Sequence, residues 1–230
     1  MDDLVSVAAG AAALWLSGEE PVLGALRNVL PAEVRTWRTG EGVDGEQVMC
    51  LVDVIRQRAR GDPALITELT VLATGPEADE ALRGLGEACD NREQWATAAW
   101  CHRRRQDILR WLGDGSGLAR SFMELGAVHE RRGRTADAAR WYQRGGAAYE
   151  ELGERLSSAE ALIELGRVHH RNGRGPEALA CLDQAVTRLL ALGDEHRALR
   201  ALSTRVAVAH DEVVRRGAVT QPDSRSAVAT

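Results

Sequence analysis

The sequence contains no lysine: all 29 basic residues of its 230 are arginine. That excludes chemistry needing a lysine amine, such as a Schiff base or a P-loop phosphate contact. A chain rich in Ala, Gly and Arg without Lys points to a high-GC genome, such as that of an actinobacterium. Aromatic residues make up only 4%, yet six of them are Trp. Cysteine is sparse. Cys50, Cys89, Cys101 and Cys181 lie far apart with no Cys-x-x-Cys pair, which fits reduced thiols in a cytoplasmic protein better than a disulfide framework. Long apolar runs are missing too. Leu4–Leu16 is too short to span a bilayer, and it follows Asp2-Asp3 instead of the basic run of a signal peptide. A buried helix is expected there. A positive excess is also lacking. The net charge is -5; residues 1–74 hold 11 acids against 6 arginines, and residues 75–230 hold 23 of each. Nucleic acid is therefore not the expected partner.

What the chain does have is a repeat with a period of 40 residues. Leu85-Gly86, Leu125-Gly126 and Leu165-Gly166 share one column. Ala98, Ala138 and Ala178 share a second. Leu112-Gly113-Asp114, Leu152-Gly153-Glu154 and Leu192-Gly193-Asp194 share a third. A fixed period in this range means stacked units, none of which buries its apolar face alone. Each unit reads as two helices. One first helix is expected over Ser158–Arg171, capped by Ser157 or Ser158, with Leu162, Leu165 and His169 inward. After the turn Asn172–Pro176, a second helix places Ala178, Leu182, Ala185, Leu189 and Leu192 on one face, and Gly193 supplies the left-handed stop.

Before the repeats, helices are expected from Asp2 or Asp3 to Leu16, over Val22–Leu30, from Val48 to about Gly61, and from Asp62-Pro63 onward. Residues 40–45 read as a loop, and Thr74-Gly75-Pro76 as a boundary.

These columns resemble the tetratricopeptide repeat family in its 40-residue form. One copy gives Leu125-Gly126, His129, Gly133, Ala138, Tyr142 and Gly145; the next gives Leu165-Gly166, His169, Gly173, Ala178, Leu182 and Ala185. The resemblance covers about residues 78–216. It implies an all-α fold: a helical repeat solenoid, a right-handed superhelix of helix-turn-helix units, behind a small N-terminal helical module (1–74). The units would be about 78–117, 118–157 and 158–197. A capping helix would follow over 198–216, with Arg205, Asp211, Glu212 and Arg215 on its outer side, and then a disordered tail over 217–230.

In that family the first helix of each repeat lines a concave groove. The matching positions are Glu80, Arg83, Glu87 and Asp90; then Arg120, Met123, Ala127 and Glu130; then Glu160, Ile163, Arg167 and His170; and finally Arg200, Ser203 and His210. Some members clamp a peptide carboxylate with Lys and Asn there, but Glu87 and Ala127 stand where Asn would be needed. The resemblance implies a non-catalytic adaptor or scaffold binding a protein or peptide. Its rivals are a ligand-responsive regulator signalling through the N-terminal module and an accessory subunit of an enzyme complex. No basic recognition helix is visible in residues 1–74.

The first copy departs from the pattern. Glu93 stands in the column of Gly133 and Gly173. His102 stands in that of Tyr142 and Leu182, and Arg105 in that of Gly145 and Ala185. Trp95, Trp100 and Trp111 gather in the same copy. The expectation is that Trp95, Trp100, Arg105 and Trp111 dock the N-terminal module, with acids of 1–74 pairing with Arg103–Arg105; the alternative is a patch for an external partner.

No catalytic residue, cofactor or metal is expected. His169-His170 and Cys101-His102 are adjacent on a helix, so their side chains diverge by about 100° and rarely share an ion. Arg103–Arg105 could activate Cys101, but no base or orienting group accompanies it. Gly113–Gly117 lacks the preceding strand of a nucleotide loop.

Overall fold

The computed structural model describes residues 2–37 and 44–219, and among these it contains eleven helices and no strand. They are α1 (Asp2–Ser17), α2 (Glu20–Leu26), α3 (Gly45–Arg60), α4 (Pro63–Leu72), α5 (Pro76–Asn91), α6 (Trp95–Leu112), α7 (Gly115–Arg131), α8 (Thr135–Glu151), α9 (Arg155–Arg171), α10 (Gly175–Ala191) and α11 (Glu195–Val219). The chain forms two compact units, residues 1–133 and 134–230. The change of pattern at Thr74–Pro76 thus falls inside the first unit.

Unit 1 is organised around α1. Every residue from Ser6 to Leu16 is buried, which is three turns covered on all sides. The Ala-rich sequence permits this, because small side chains let α3, α4, α5 and α6 all pack on one helix. Gly10 marks the closest approach: a Cβ there would sit 2.2 Å from the Ala73 carbonyl oxygen. The expected buried helix is therefore the centre of the unit, and it packs directly on the first repeat.

Local chemistry fixes the other N-terminal helices. Asp44 caps α3 by accepting from the Gln47 N–H while the Gln47 side chain accepts from the Asp44 N–H. Asp62 caps α4, with Pro63 in the first turn. Helix α2 begins at Glu20 and stops at Leu26, four residues short of the expected end. Most of the expected loop at 40–45 lies outside the described residues; Asp44 and Gly45 already belong to the start of α3.

The repeats form antiparallel helix pairs joined by one recurring turn. Gly113, Gly133, Gly153, Gly173 and Gly193 all have φ between 69° and 75°, the left-handed stop that ends a helix and reverses the chain within two residues. Glu93 takes the same conformation, with φ 62°. Its N–H donates to the Asp90 carbonyl and that of Gln94 to the Cys89 carbonyl, as Gly173 and Arg174 do to His170 and His169. The first repeat thus keeps the turn and bears a Cβ in a region costing about 1–2 kcal/mol. Glu93→Gly should raise stability by about 1 kcal/mol, read as an increased urea midpoint with unchanged slope.

Unit 2 stacks α8 to α11 in order, each packed on the next. Leu182, Ala185 and Leu189 are buried as expected, while Leu192, at the helix end, is exposed. Leu125 and Tyr142 are also buried, but Leu165 is only half-buried. Gly166 is required by close approach, since a Cβ there would meet Leu182 Cγ at 2.9 Å.

Helix α9 starts at Arg155, not at Ser158, and neither serine caps it. Gly153 reverses the chain so sharply that the helix begins at once. This leaves Ser158 buried one turn in. Helix α11 starts at Glu195 and runs to Val219, so 217–219 are helical where a disordered tail was expected; the rest of that tail lies outside the described residues. The outer side of α11 is more apolar than expected. Leu199, Val206, Val213 and Val214 are exposed, while Arg205 pairs with Asp183 and the half-buried Glu212 holds Arg215 and Arg216. No second helix follows α11 among the described residues to cover it.

Candidate binding faces of the repeat helices

Within each unit the first-of-pair helices bury one side and leave the expected groove columns outward. On α5, Glu80 and Glu87 are exposed and Arg83 bridges them, with Arg83 Nε donating to Glu80 at 3.0 Å and Nη1 to Glu87 at 2.7 Å. The hydrogen bond from Arg83 holds Glu80 below the ordinary carboxylate range and pushes the Arg83 pKa up. On α7, Arg120 is exposed, and Met123, Ala127 and Glu130 are half-buried. Asp90 departs from the expectation: it is buried, and its carboxylate is paired with Arg131.

In unit 2, Glu160 pairs with Arg197 of α11 at 2.8 Å, and Arg167 with Glu164 of its own helix at 3.0 Å. The His170 Nε2 lies 3.1 Å from Asp211. Arg200, Ser203 and His210 are exposed or nearly so. Ile163 is partly buried and packs against two apolar clusters, one around Ala159, Leu189 and Ala201 and one around Ala178, Leu182 and Val208, so its role is at least partly structural.

The unusual residues of the first repeat resolve into an ion-pair network. Arg105 is 2% exposed. Its Nε donates to Asp79 of α5 at 2.6 Å, and its Nη1 to Glu124 of α7. His102, also buried, places Nδ1 3.3 Å from the same Glu124 carboxylate. Burial alone would raise the Glu124 pKa, but His102 and Arg105 outweigh it and hold the carboxyl below its ordinary value. The expected partners from residues 1–74 are therefore not the ones used. The Arg105 column tolerates arginine because the flanking helices of its own unit supply both carboxylates.

The N-terminal segment reaches this region through Ser6, whose hydroxyl donates to Asp107 at 2.8 Å and lies 3.5 Å from Arg104. Trp95 and Trp100 are half-buried, and Trp111 is 46% exposed.

A sequence signal for the network existed. Asp79 stands in the column of Ala119 and Ala159, so Asp79 and Arg105 are charged departures of opposite sign within one copy.

Burial works against nucleophilic chemistry at Cys89 and Cys101. Burial pushes the Cys89 pKa up to about 11 and the Cys101 pKa well above normal, despite the neighbouring arginines. No group of three His, Cys, Asp or Glu side chains able to hold a metal gathers among the described residues. His169 and His170 diverge: burial lowers the pKa of His169, whereas His170 turns to Asp211. Gly113 ends α6 and Asp114 caps α7, so the Gly113–Gly117 segment serves as a helix connection. No helix among the described residues is long and apolar enough to cross a membrane.

Paired helices at a 40-residue period, left-handed turns in register and small residues at the helix contacts define a tetratricopeptide-like helical-repeat fold. The Podosopora anserina kinesin light chain structure, described as nearly identical TPR-like repeats, is 20% identical, with 88% of this chain and 99% of that one covered at a TM-score of 0.46. A point-substituted form of the same Podosopora anserina protein is also 20% identical, covering 86% and 95% at 0.46. BtubC (BKLC) from P. vanneervenii is 14% identical, covering 98% and 97% at 0.45. No protein-family model and no curated protein matches the sequence.

Proposed function

We propose that this protein is a non-catalytic adaptor that holds protein or peptide segments on the outward columns of its units, those of α5 and α7 in the first and those of α9 and α11 in the second. The observation that carries the reading is the division within each helix. On α9, Glu160 and Arg167 are exposed, while Ala161, Gly166 and Val168 are buried. Side chains of both signs on a rigid helical face suit a polar partner segment, selected by charge arrangement more than by apolar area. Four unpaired cysteines, two of them deeply buried, suit a reducing compartment such as the cytoplasm.

The test is affinity capture from native cells with three forms of the full chain: wild type, a groove variant and a control. The groove variant carries Arg83→Glu and Arg167→Glu. The control carries Arg140→Glu, at an exposed second-helix position. Partners identified by mass spectrometry with wild type should fall by about tenfold or more with the groove variant, a typical cost of opposing like charges, and persist with the control. Equal retention by both variants would contradict the reading.

A further inference from the structure

The opposite side of α9 carries a cavity of about 420 Å³ between α8 and α10. Tyr142, Ala161, Leu162, Leu165 and Cys181 contribute its apolar lining; Gln143, Glu150, Ser158, Gln184 and Arg188 contribute polar groups. On a helix of about 100° per residue, Ala161 and Leu165 lie on a different side from Glu160 and Arg167. The cavity is therefore separate from the groove columns.

Its setting can be read from the repeat columns. Gly146 stands where the other copies place Gln106 and Val186, both buried. The glycine lets α8 come close to α9, since a Cβ there would sit 3.2 Å from Ala161 Cβ, and the cavity lies beside this contact, where Leu165 is half-buried although Leu125 in the same column is fully buried. A space of this size lies in the range of small-molecule pockets, about 300–1,000 Å³.

The polar end is charge-balanced. The buried Ser158 hydroxyl donates to Glu150 at 2.7 Å and lies 2.7 Å from Arg188 Nη1, which also contacts Glu150. The hydrogen bonds from Ser158 and Arg188 keep Glu150 ionised, with its pKa below the ordinary range. The bonds of Arg188 here all run through Nη1, leaving Nε and Nη2 as donors beside the carboxylate acceptor.

A carboxylate entering this end would meet Glu150, and an ammonium would meet Arg188. A neutral group that both donates and accepts meets neither penalty. We infer that this cavity binds a small neutral amphiphile, with its apolar body over Leu162 and Leu165 and an amide or hydroxyl head beside the Glu150–Arg188 pair. This site is independent of the groove.

Cys181 in the wall supplies the readout. In a Cys50→Ser background the other two thiols are buried, so Cys181 is the accessible one. Its modification rate by a disulfide reagent is measured with octanamide or octanoate present. Octanamide should protect Cys181 saturably, and octanoate should require about tenfold higher concentration, because the charge-balanced Glu150–Arg188 pair offers no net positive charge to offset the desolvation of a carboxylate.

Ala147→Trp and Gln184→Trp, both exposed rim substitutions, should abolish protection while leaving the helical circular dichroism unchanged. Glu150→Gln should narrow the gap between the two ligands. No protection by octanamide, equal protection by octanoate, or protection unaffected by both tryptophans would each overturn the inference. None of these outcomes bears on the groove, whose charge-reversal test is separate.

Discussion

Arg105→Ala should lower the unfolding free energy by about 3–5 kcal/mol, the usual cost of removing one partner from a buried ion pair. The guanidinium is fully enclosed and engages Asp79 and Glu124 from two different helices. Its removal leaves both carboxylates partly buried without the guanidinium they share. Urea denaturation of the full chain measures the loss. Asp79→Asn or Glu124→Gln in the Arg105→Ala background should recover part of it, because each removes an uncompensated charge. If Arg105→Ala costs less than about 1 kcal/mol, the network is a surface-like pair and contributes little.

The same network predicts an acid limb. Because the folded-state pKa of Glu124 is lowered, its contribution is fully present above the unfolded carboxylate pKa. It is lost as pH falls through the folded value. Stability should therefore decline on the acid side, and Glu124→Gln should flatten that decline. A wild-type profile unchanged by Glu124→Gln would show that another carboxylate governs it.

Leu182→Ala should cost about 2–5 kcal/mol as a core truncation. Leu182 is fully buried, packs with Ala178 and Val208, and faces Gly166. Leu165→Ala, on the same helix pair, should cost less than about 2 kcal/mol, because Leu165 is already half out of the core at the cavity wall. Chemical denaturation distinguishes them. Equal costs would mean that the cavity closes over Leu165 in solution.

The contrast between these two leucines shows how far the sequence could be read. Both sit in well-aligned columns, and column reading alone expects both to be buried. The difference is that Leu165 lines the cavity shared with residues of α8 and α10, an arrangement across three helices that a linear pattern does not reveal. The helix pairs, their turns and the small-residue contacts were legible because each depends on spacing within one repeat.

The start of α9 was not legible. Serines are favoured caps, but the left-handed Gly153 had already set the helix start. Among the groove positions, the exposed Glu80, Arg120, Arg167 and Arg200 follow from helix periodicity. Asp90 became a buried ion-pair partner because Arg131 reaches it from another helix. The Arg105 network shares that origin: its carboxylates lie 26 residues before and 19 residues after it. Charge departures paired across columns of one copy are the signal that exposes such contacts.

Site-specific photocrosslinking in native cells tests the adaptor reading most directly. A photoreactive phenylalanine derivative is placed at Arg120 and Arg200 on the groove columns, and separately at Arg140 and Glu177 on the second helices, all exposed positions. The account predicts discrete adducts with the same partner from both groove positions and none from the second-helix positions. Adducts arising only from Arg140 or Glu177, or from all four sites alike, would contradict it.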